Sequence, residues 1–156
     1  SYTNNKAIKA LDFIGLNYYS RWHVKGHLNP NEPFTFEKRK QDIQTDMPYS
    51  IYPEGFYKAL NTVNKLEVPI IVTENGIADD KDDRRELFIN RYLYALFQAM
   101  QDGLIVNGYF YWSLMDNFEW AEGYSMRFGL YHVDYESQKR TLRESGKLYQ
   151  KIIKEN

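Results

Sequence analysis

Apolar residues in this chain fall into short dense runs and longer periodic stretches, and the two alternate. Leu11-Asp12-Phe13-Ile14-Gly15-Leu16 is an apolar run that ends on Asn17-Tyr18-Tyr19. Ile70-Ile71-Val72, behind Pro69, is a β-branched run of the kind that parallel strands bury on both faces, and it stops at Thr73-Glu74-Asn75-Gly76. A third strand is predicted from Val106 to Trp112. Between them, Pro53-Glu54-Gly55 opens a helix to about Glu67, with proline and an acid in its first turn. Asp83, with Glu86 three positions later, predicts a capping box for a long helix that runs to Asp102 and stops at Gly103. Its apolar stripe is Ile89, Leu93, Leu96 and Met100. A polar-aromatic loop from Ser113 to Arg127, a short strand or hairpin arm from Leu130 to Asp134, and a helix from about Arg143 to Ile153 complete the chain.

Residues 21–50 have no clear period. They carry Pro30, Pro33 and Pro48 and the cluster Glu37-Lys38-Arg39-Lys40, which predicts a long loop of the kind that walls an active site. Strand and helix otherwise alternate, so the expected class is α/β with a parallel sheet. Three such units cannot close an eight-stranded barrel, which takes about 250 residues. The chain is therefore a small open α/β domain or part of something larger.

Composition narrows the function. A length of 156 residues gives room for one domain with a real core, and a net charge of -1 gives no electrostatic case for nucleic acid or an anionic membrane. Cysteine is absent, which excludes disulfides and thiolate metal sites. No apolar run approaches the length of a membrane span, no leader is recognisable, and the expected location is cytoplasmic. Aromatic residues make up 17%, which suits a sugar-binding cleft as well as a large aromatic core.

Three strand ends offer chemistry: Asn17 with Tyr19, then Glu74, then Trp112 with the loop behind it. A carboxylate at the end of a buried parallel strand, followed by a glycine, is where α/β enzymes place reactive groups. Equally, Glu74 is the first solvated residue after a core strand. Asp12-Phe13-Ile14-Gly15-Leu16-Asn17-Tyr18-Tyr19, Val72-Thr73-Glu74-Asn75-Gly76 and Trp112-Ser113-Leu114-Met115-Asp116-Asn117-Phe118-Glu119-Trp120 resemble family 1 glycoside hydrolases, the β-glucosidase family. Arg127-Phe128-Gly129-Leu130 and Val133-Asp134-Tyr135 continue the resemblance in register. It covers essentially the whole chain, 1–156, as a single C-terminal segment of that family's (β/α)8 TIM barrel, roughly strands 6 to 8 with their helices.

The resemblance implies a retaining mechanism with two carboxylates about 5–5.5 Å apart. Glu74 matches the nucleophile and Tyr19 the phenol that orients it. Asn17 lines the same subsite, and Trp112 lies under the sugar. Glu119 accepts hydrogen bonds from sugar hydroxyls, the Trp120 indole N–H donates to another, and Phe128 closes the wall. No cofactor and no metal is implied. The substrate is a β-glycoside or oligosaccharide of neutral sugars, because the Glu119 carboxylate would repel a 6-phosphate.

The general acid is the missing part. The family holds it in an Asn-Glu-Pro motif after the fourth strand, well upstream of the nucleophile. Asn31-Glu32-Pro33 is present here, but it sits in the proline-rich loop with no strand leading into it, and an acid must be held rigidly. The chain thus has a nucleophile and no acid. A second departure is Tyr49, where the family usually has tryptophan before its Tyr-Pro-Glu-Gly stretch, so the leaving-group side differs. Asp79-Asp80-Lys81-Asp82-Asp83 lacks the alternation and central glycine of a calcium loop and reads as a solvated turn. His23, His27 and His132 have no metal-ligand spacing. Two readings follow: a β-glycosidase whose N-terminal remainder comes from elsewhere, or a non-catalytic half-barrel that self-associates or only binds sugar.

Overall fold

The computed structural model describes residues 10–155. Three parallel strands, β1 (Ile14–Asn17), β4 (Ile70–Asn75) and β5 (Val106–Tyr111), form the main sheet in the order β1-β4-β5. Helix α1 (Pro53–Val63) crosses from β1 towards β4, α2 (Arg85–Gln101) connects β4 to β5, and α3 (Glu144–Glu155) ends the described chain. The α/β class and the strand–helix alternation are as the sequence pattern predicts.

One sheet face builds the core. Ile70 and Val72 of β4 are buried against Phe56 and Leu60 of α1 and Phe88, Tyr92, Leu96 and Ala99 of α2. Burying each large aliphatic or aromatic side chain contributes roughly 1.5–3 kcal/mol, so this cluster is what holds the helices on the sheet. The opposite face aligns Gly15, Ile71 and Gly108 in register. No described element covers that face, and Phe110 beyond it is 61% exposed. The expectation that Ile70-Ile71-Val72 is buried on both faces therefore holds for Ile70 and Val72 only; Ile71 is half-buried.

Three further local expectations are corrected. The stretch 21–50 is not uniformly irregular: β2 (His23–Gly26) and β3 (Phe34–Glu37) pair antiparallel as a hairpin, whose tip carries Asn31-Glu32-Pro33. Glu32 is exposed there, its amide donating to the Asn29 carbonyl at 3.1 Å. Helix α2 is not capped by Asp83. The fully buried Asp79 accepts the Arg84 and Arg85 amides on Oδ2, both at 2.9 Å, while Asp83 pairs with the Arg84 side chain. Met100 is exposed, because the buried stripe of α2 runs through Phe88, Tyr92, Ala95 and Ala99. Gly103 does end the helix, at φ 95, where a side chain would be strained.

Beyond β5 the chain from Ser113 to Arg127 returns alongside itself. Leu130 N donates to the Ser113 carbonyl and Tyr131 N to the Leu114 carbonyl, both at 2.9 Å. The buried Asp116 closes this loop, accepting from Gly129 N at 2.9 Å, Val133 N at 3.1 Å and the Arg143 guanidinium at 3.2 Å. A hairpin of β6 (Tyr131–Val133) and β7 (Arg140–Leu142) then leads to α3. The hairpin-arm reading of Leu130–Asp134 matches β6.

Candidate active site

Glu74 stands at the carboxyl end of β4, opposite Asn17 of β1. Its neighbour fixes the three strand ends together. Asn75 is fully buried, accepts the Tyr109 hydroxyl at 2.7 Å on Oδ1, and donates through Nδ2 to the Tyr18 carbonyl. Its own carbonyl accepts the Trp112 amide at 2.9 Å. Gly76 permits the next contact: a Cβ there would lie 1.6 Å from the Trp112 carbonyl oxygen, so only glycine lets β5 end this close.

Around Glu74 the side chains converge. The Tyr19 hydroxyl donates to Glu74 Oε2 at 2.7 Å. Burial, then the hydrogen bond to Glu74 and that residue's charge, push the Tyr19 phenol well above its ordinary range, so it stays protonated and a donor. The Tyr19 backbone is held from behind by Tyr92 of α2, whose hydroxyl donates to the Tyr19 carbonyl at 2.9 Å and accepts the Tyr52 amide at 3.0 Å. Phe128, buried, meets the Tyr19 ring edge-on at 6.0 Å. Asn17 Oδ1 accepts the Thr73 hydroxyl at 2.6 Å.

The second carboxylate is Glu119. Burial and the charge of Glu74 raise its pKa, and a hydrogen bond from Trp112 partly offsets the rise. An indole N–H can only donate, so Trp112 holds Glu119 as an acceptor. The arrangement sets two interacting carboxylates beside a phenol and an indole, at the open end of a parallel sheet. Such a cluster can bind polyhydroxylated molecules and place one carboxylate for attack.

Of the residues singled out from sequence, Asn17, Tyr19, Glu74, Trp112, Glu119 and Phe128 lie together around the ends of β1, β4 and β5. Trp120 does not join them; it is 84% exposed on the Glu119–Glu122 turn. Tyr49, noted only as a departure, belongs to the neighbourhood: burial and then the charge of Glu119 raise its phenol. Asn75 and Tyr92 were missed as supports. Asn75 lay inside the quoted motif, and Tyr92 carried only the helical period as a signal. The acidic run 79–83 is used internally, with Asp79 and Asp82 on Arg84 and Arg85.

The family model for glycosyl hydrolase family 1 matches residues 3–156. The chain belongs to glycosyl hydrolase family 1. It is 42% identical over 158 residues to a 1,4-beta-D-glucan glucohydrolase of Thermotoga neapolitana, covering 94% of this chain and 35% of that protein. It is 38% identical over 168 residues to a beta-galactosidase of Pyrococcus woesei, covering 96% of this chain and 33% of the relative. Among solved structures, the family 1 β-glucosidase from Thermotoga maritima superposes with a TM-score of 0.83 at 40% identity, over 92% of this chain and 35% of that one. A beta-glycosidase from Pyrococcus horikoshii gives 0.81 at 43% identity, over 90% and 34%. The chain thus spans about a third of the length of these family 1 relatives. No helix among the described residues is long and apolar enough to cross a membrane.

Proposed function

We propose that this chain forms strands 6 to 8 of a TIM barrel, as one C-terminal segment, and supplies the nucleophile side of a retaining β-glycosidase. The observation that carries the reading is the Tyr19 phenol on Glu74 at 2.7 Å, at the carboxyl end of a parallel strand. The Glu74 carboxylate attacks the anomeric carbon as the bond to the leaving oxygen breaks, and a general acid protonates that oxygen. Water then attacks the glycosyl-enzyme ester, gives its proton to the same acid residue acting as base, and frees Glu74. Tyr19 aims the attacking carboxylate. Asn17 and Glu119 take hydrogen bonds from sugar hydroxyls, Trp112 lies under the ring and steadies Glu119, and Phe128 walls the pocket. Trp120 donates its indole N–H to a further hydroxyl when a sugar fills the site.

The acid is assigned to the remainder of the barrel, which acts as the partner of this chain. Glu32 is set aside because it lies at an exposed hairpin tip. The Glu119 carboxylate and the glucohydrolase and galactosidase relatives support a neutral terminal sugar over a phosphorylated one. A second reading, a non-catalytic segment that self-associates or only binds sugar, has one specific observation in its favour: the uncovered sheet face at Gly15, Ile71 and Phe110.

The test is to assay cellobiose and a nitrophenyl glucoside with the chain alone, then with the N-terminal remainder added. Cellobiose cleavage needs a positioned acid, a contribution of about 10²–10⁴-fold, so the chain alone should not hydrolyse it. Recovery on adding the remainder, lost in Glu74→Gln and kept in Glu32→Gln, supports the reading. Robust cleavage by the chain alone that Glu32→Gln abolishes would refute it.

A further inference from the structure

Glu119 rides on the loop between β5 and β6, and the way that loop is held decides where its carboxylate sits. At the base, Asp116 and the backbone pairing of Ser113 and Leu114 fix the chain. At the tip, backbone bonds close the turn on itself: the Glu119 amide donates to the Gly123 carbonyl at 2.7 Å and the Glu122 amide to the Glu119 carbonyl at 2.8 Å. These bonds shape the turn without tying it to the rest of the protein. Burial adds little, since Phe118 is 58% exposed and Tyr124 56%. A cavity of about 450 Å³ lies behind the loop, lined by its Asn117, Phe118 and Tyr124 and by Tyr135, Gln138 and Arg140 of the hairpin that follows.

Tyr135, just beyond β6, bridges that gap. Its hydroxyl donates to the Asn117 carbonyl at 3.2 Å, on the outgoing limb of the loop. Asn117 is itself set by its side chain, whose Nδ2 donates to Ser113 Oγ at 3.1 Å and to the Met115 carbonyl at 3.2 Å. The Tyr135 bond therefore fixes the tilt of the next peptide, the one that leads through Phe118 to Glu119. On the returning limb the Tyr135 ring lies 4.6 Å from the Tyr124 ring, which meets Phe118 edge-on at 5.4 Å. The Arg127 guanidinium covers the Tyr135 ring at 4.3 Å and is anchored on the Val133 carbonyl at 2.9 Å. One residue outside the loop thus holds both of its limbs. Its hydrogen bond and ring contacts involve none of Tyr19, Glu74 and Trp112.

We propose that Tyr135 is a positioning residue for Glu119, pinning the two limbs of the loop so that the carboxylate stays within reach of the hydroxyls of the sugar held at Glu74. This rests on the reading of Glu74 as the nucleophile and Glu119 as the hydroxyl acceptor. A loop ordered before the sugar arrives does not have to be ordered by it, so the pin lowers the cost of binding. Its loss should therefore appear in KM more than in kcat.

The experiment uses the protein assembled with the remainder of its barrel, with nitrophenyl glucoside as substrate. Tyr135→Phe keeps the ring and removes the hydroxyl, so kcat/KM should fall about five- to tenfold, chiefly through KM. The same change made together with Glu119→Gln should cost almost nothing further, because the pin acts only through Glu119. Tyr124→Ala, at an exposed position, tests the returning limb and should show the same dependence on Glu119. A purely structural role would lower activity equally with and without Glu119→Gln. Losses of equal size in the two backgrounds, or parental constants in both loop variants, overturn the proposal. Glu74→Gln and Glu119→Gln alone keep the readings apart. Full activity in either refutes the site on which the pin depends, whereas loss in both beside parental constants in Tyr135→Phe and Tyr124→Ala refutes the pin alone.

Discussion

Replacing Tyr92 by phenylalanine removes one oxygen from the point where α2 meets the candidate site. The ring itself would stay, stacked on Phe88 at 3.9 Å and packed near Phe56, so no cavity of any size opens. What is lost is a hydroxyl that serves two backbone groups, the Tyr19 carbonyl at 2.9 Å and the Tyr52 amide at 3.0 Å. Leaving a buried polar group without a partner costs about 1–3 kcal/mol, so two together should cost about 2–4 kcal/mol after partial relaxation. The assay is urea unfolding followed by far-ultraviolet circular dichroism at matched protein concentration, where the midpoint should fall at an unchanged slope. Tyr94, on the outer side of the same helix and 64% exposed, is the control, and Tyr94→Phe should stay within about 0.5 kcal/mol of the parent. Equal, small effects from the two variants would refute the claim that Tyr92 holds the Tyr19 backbone in place.

Other outcomes follow from the same geometry. Gly76→Ala should abolish soluble, folded protein, because its Cβ would meet the Trp112 carbonyl oxygen at 1.6 Å, whereas Gly26→Ala, with nothing within 4 Å, should be tolerated; soluble yield and near-ultraviolet dichroism check both. Asp116→Asn should destabilise by about 3–5 kcal/mol in urea unfolding, since it leaves the Arg143 guanidinium without its buried partner. Glu119 has a raised pKa, so its ionised form lowers stability at neutral pH, and that penalty disappears as pH falls through the raised value towards 4.5 and below. Glu119→Gln should therefore be more stable than the parent at pH 7 and equal to it in acid, as read from melting temperatures across pH. The chain alone should self-associate through the sheet face and the β1 and β5 edges that no described element covers; a monomer by light scattering that binds no apolar dye would contradict this.

The three main strands were legible because β-branched and apolar runs are local, and each ends within a few residues of its predicted end. The helices were legible for the same reason, down to the glycine that stops α2. What escaped was non-local. Asp79 caps α2 from a position that a Ser/Thr/Asp-x-x-Glu pattern does not register, because the turn brings it back only once Arg84 is held between Asp46 and Asp79. The hairpin within 21–50 pairs strands of four residues each, too short for alternation to stand out among prolines. Ile71 reads as core because its side chain is apolar, yet what would bury it is not among the described residues. The meeting of Tyr19 with Glu74, 55 positions apart, lies in no local pattern; only the resemblance of whole motifs pointed to it.

The central claim is that Glu74 carries the glycosyl group, and covalent trapping tests it most directly. A 2-deoxy-2-fluoro glucoside with a good leaving group should glycosylate the assembled barrel, because the fluorine slows both formation and breakdown of the glycosyl-enzyme while the good leaving group restores the rate of formation alone. Peptide mass mapping should then place one fluoroglucosyl group on the peptide containing Glu74, and Glu74→Gln should take none. A label on Glu119 or Glu32 instead would contradict the account.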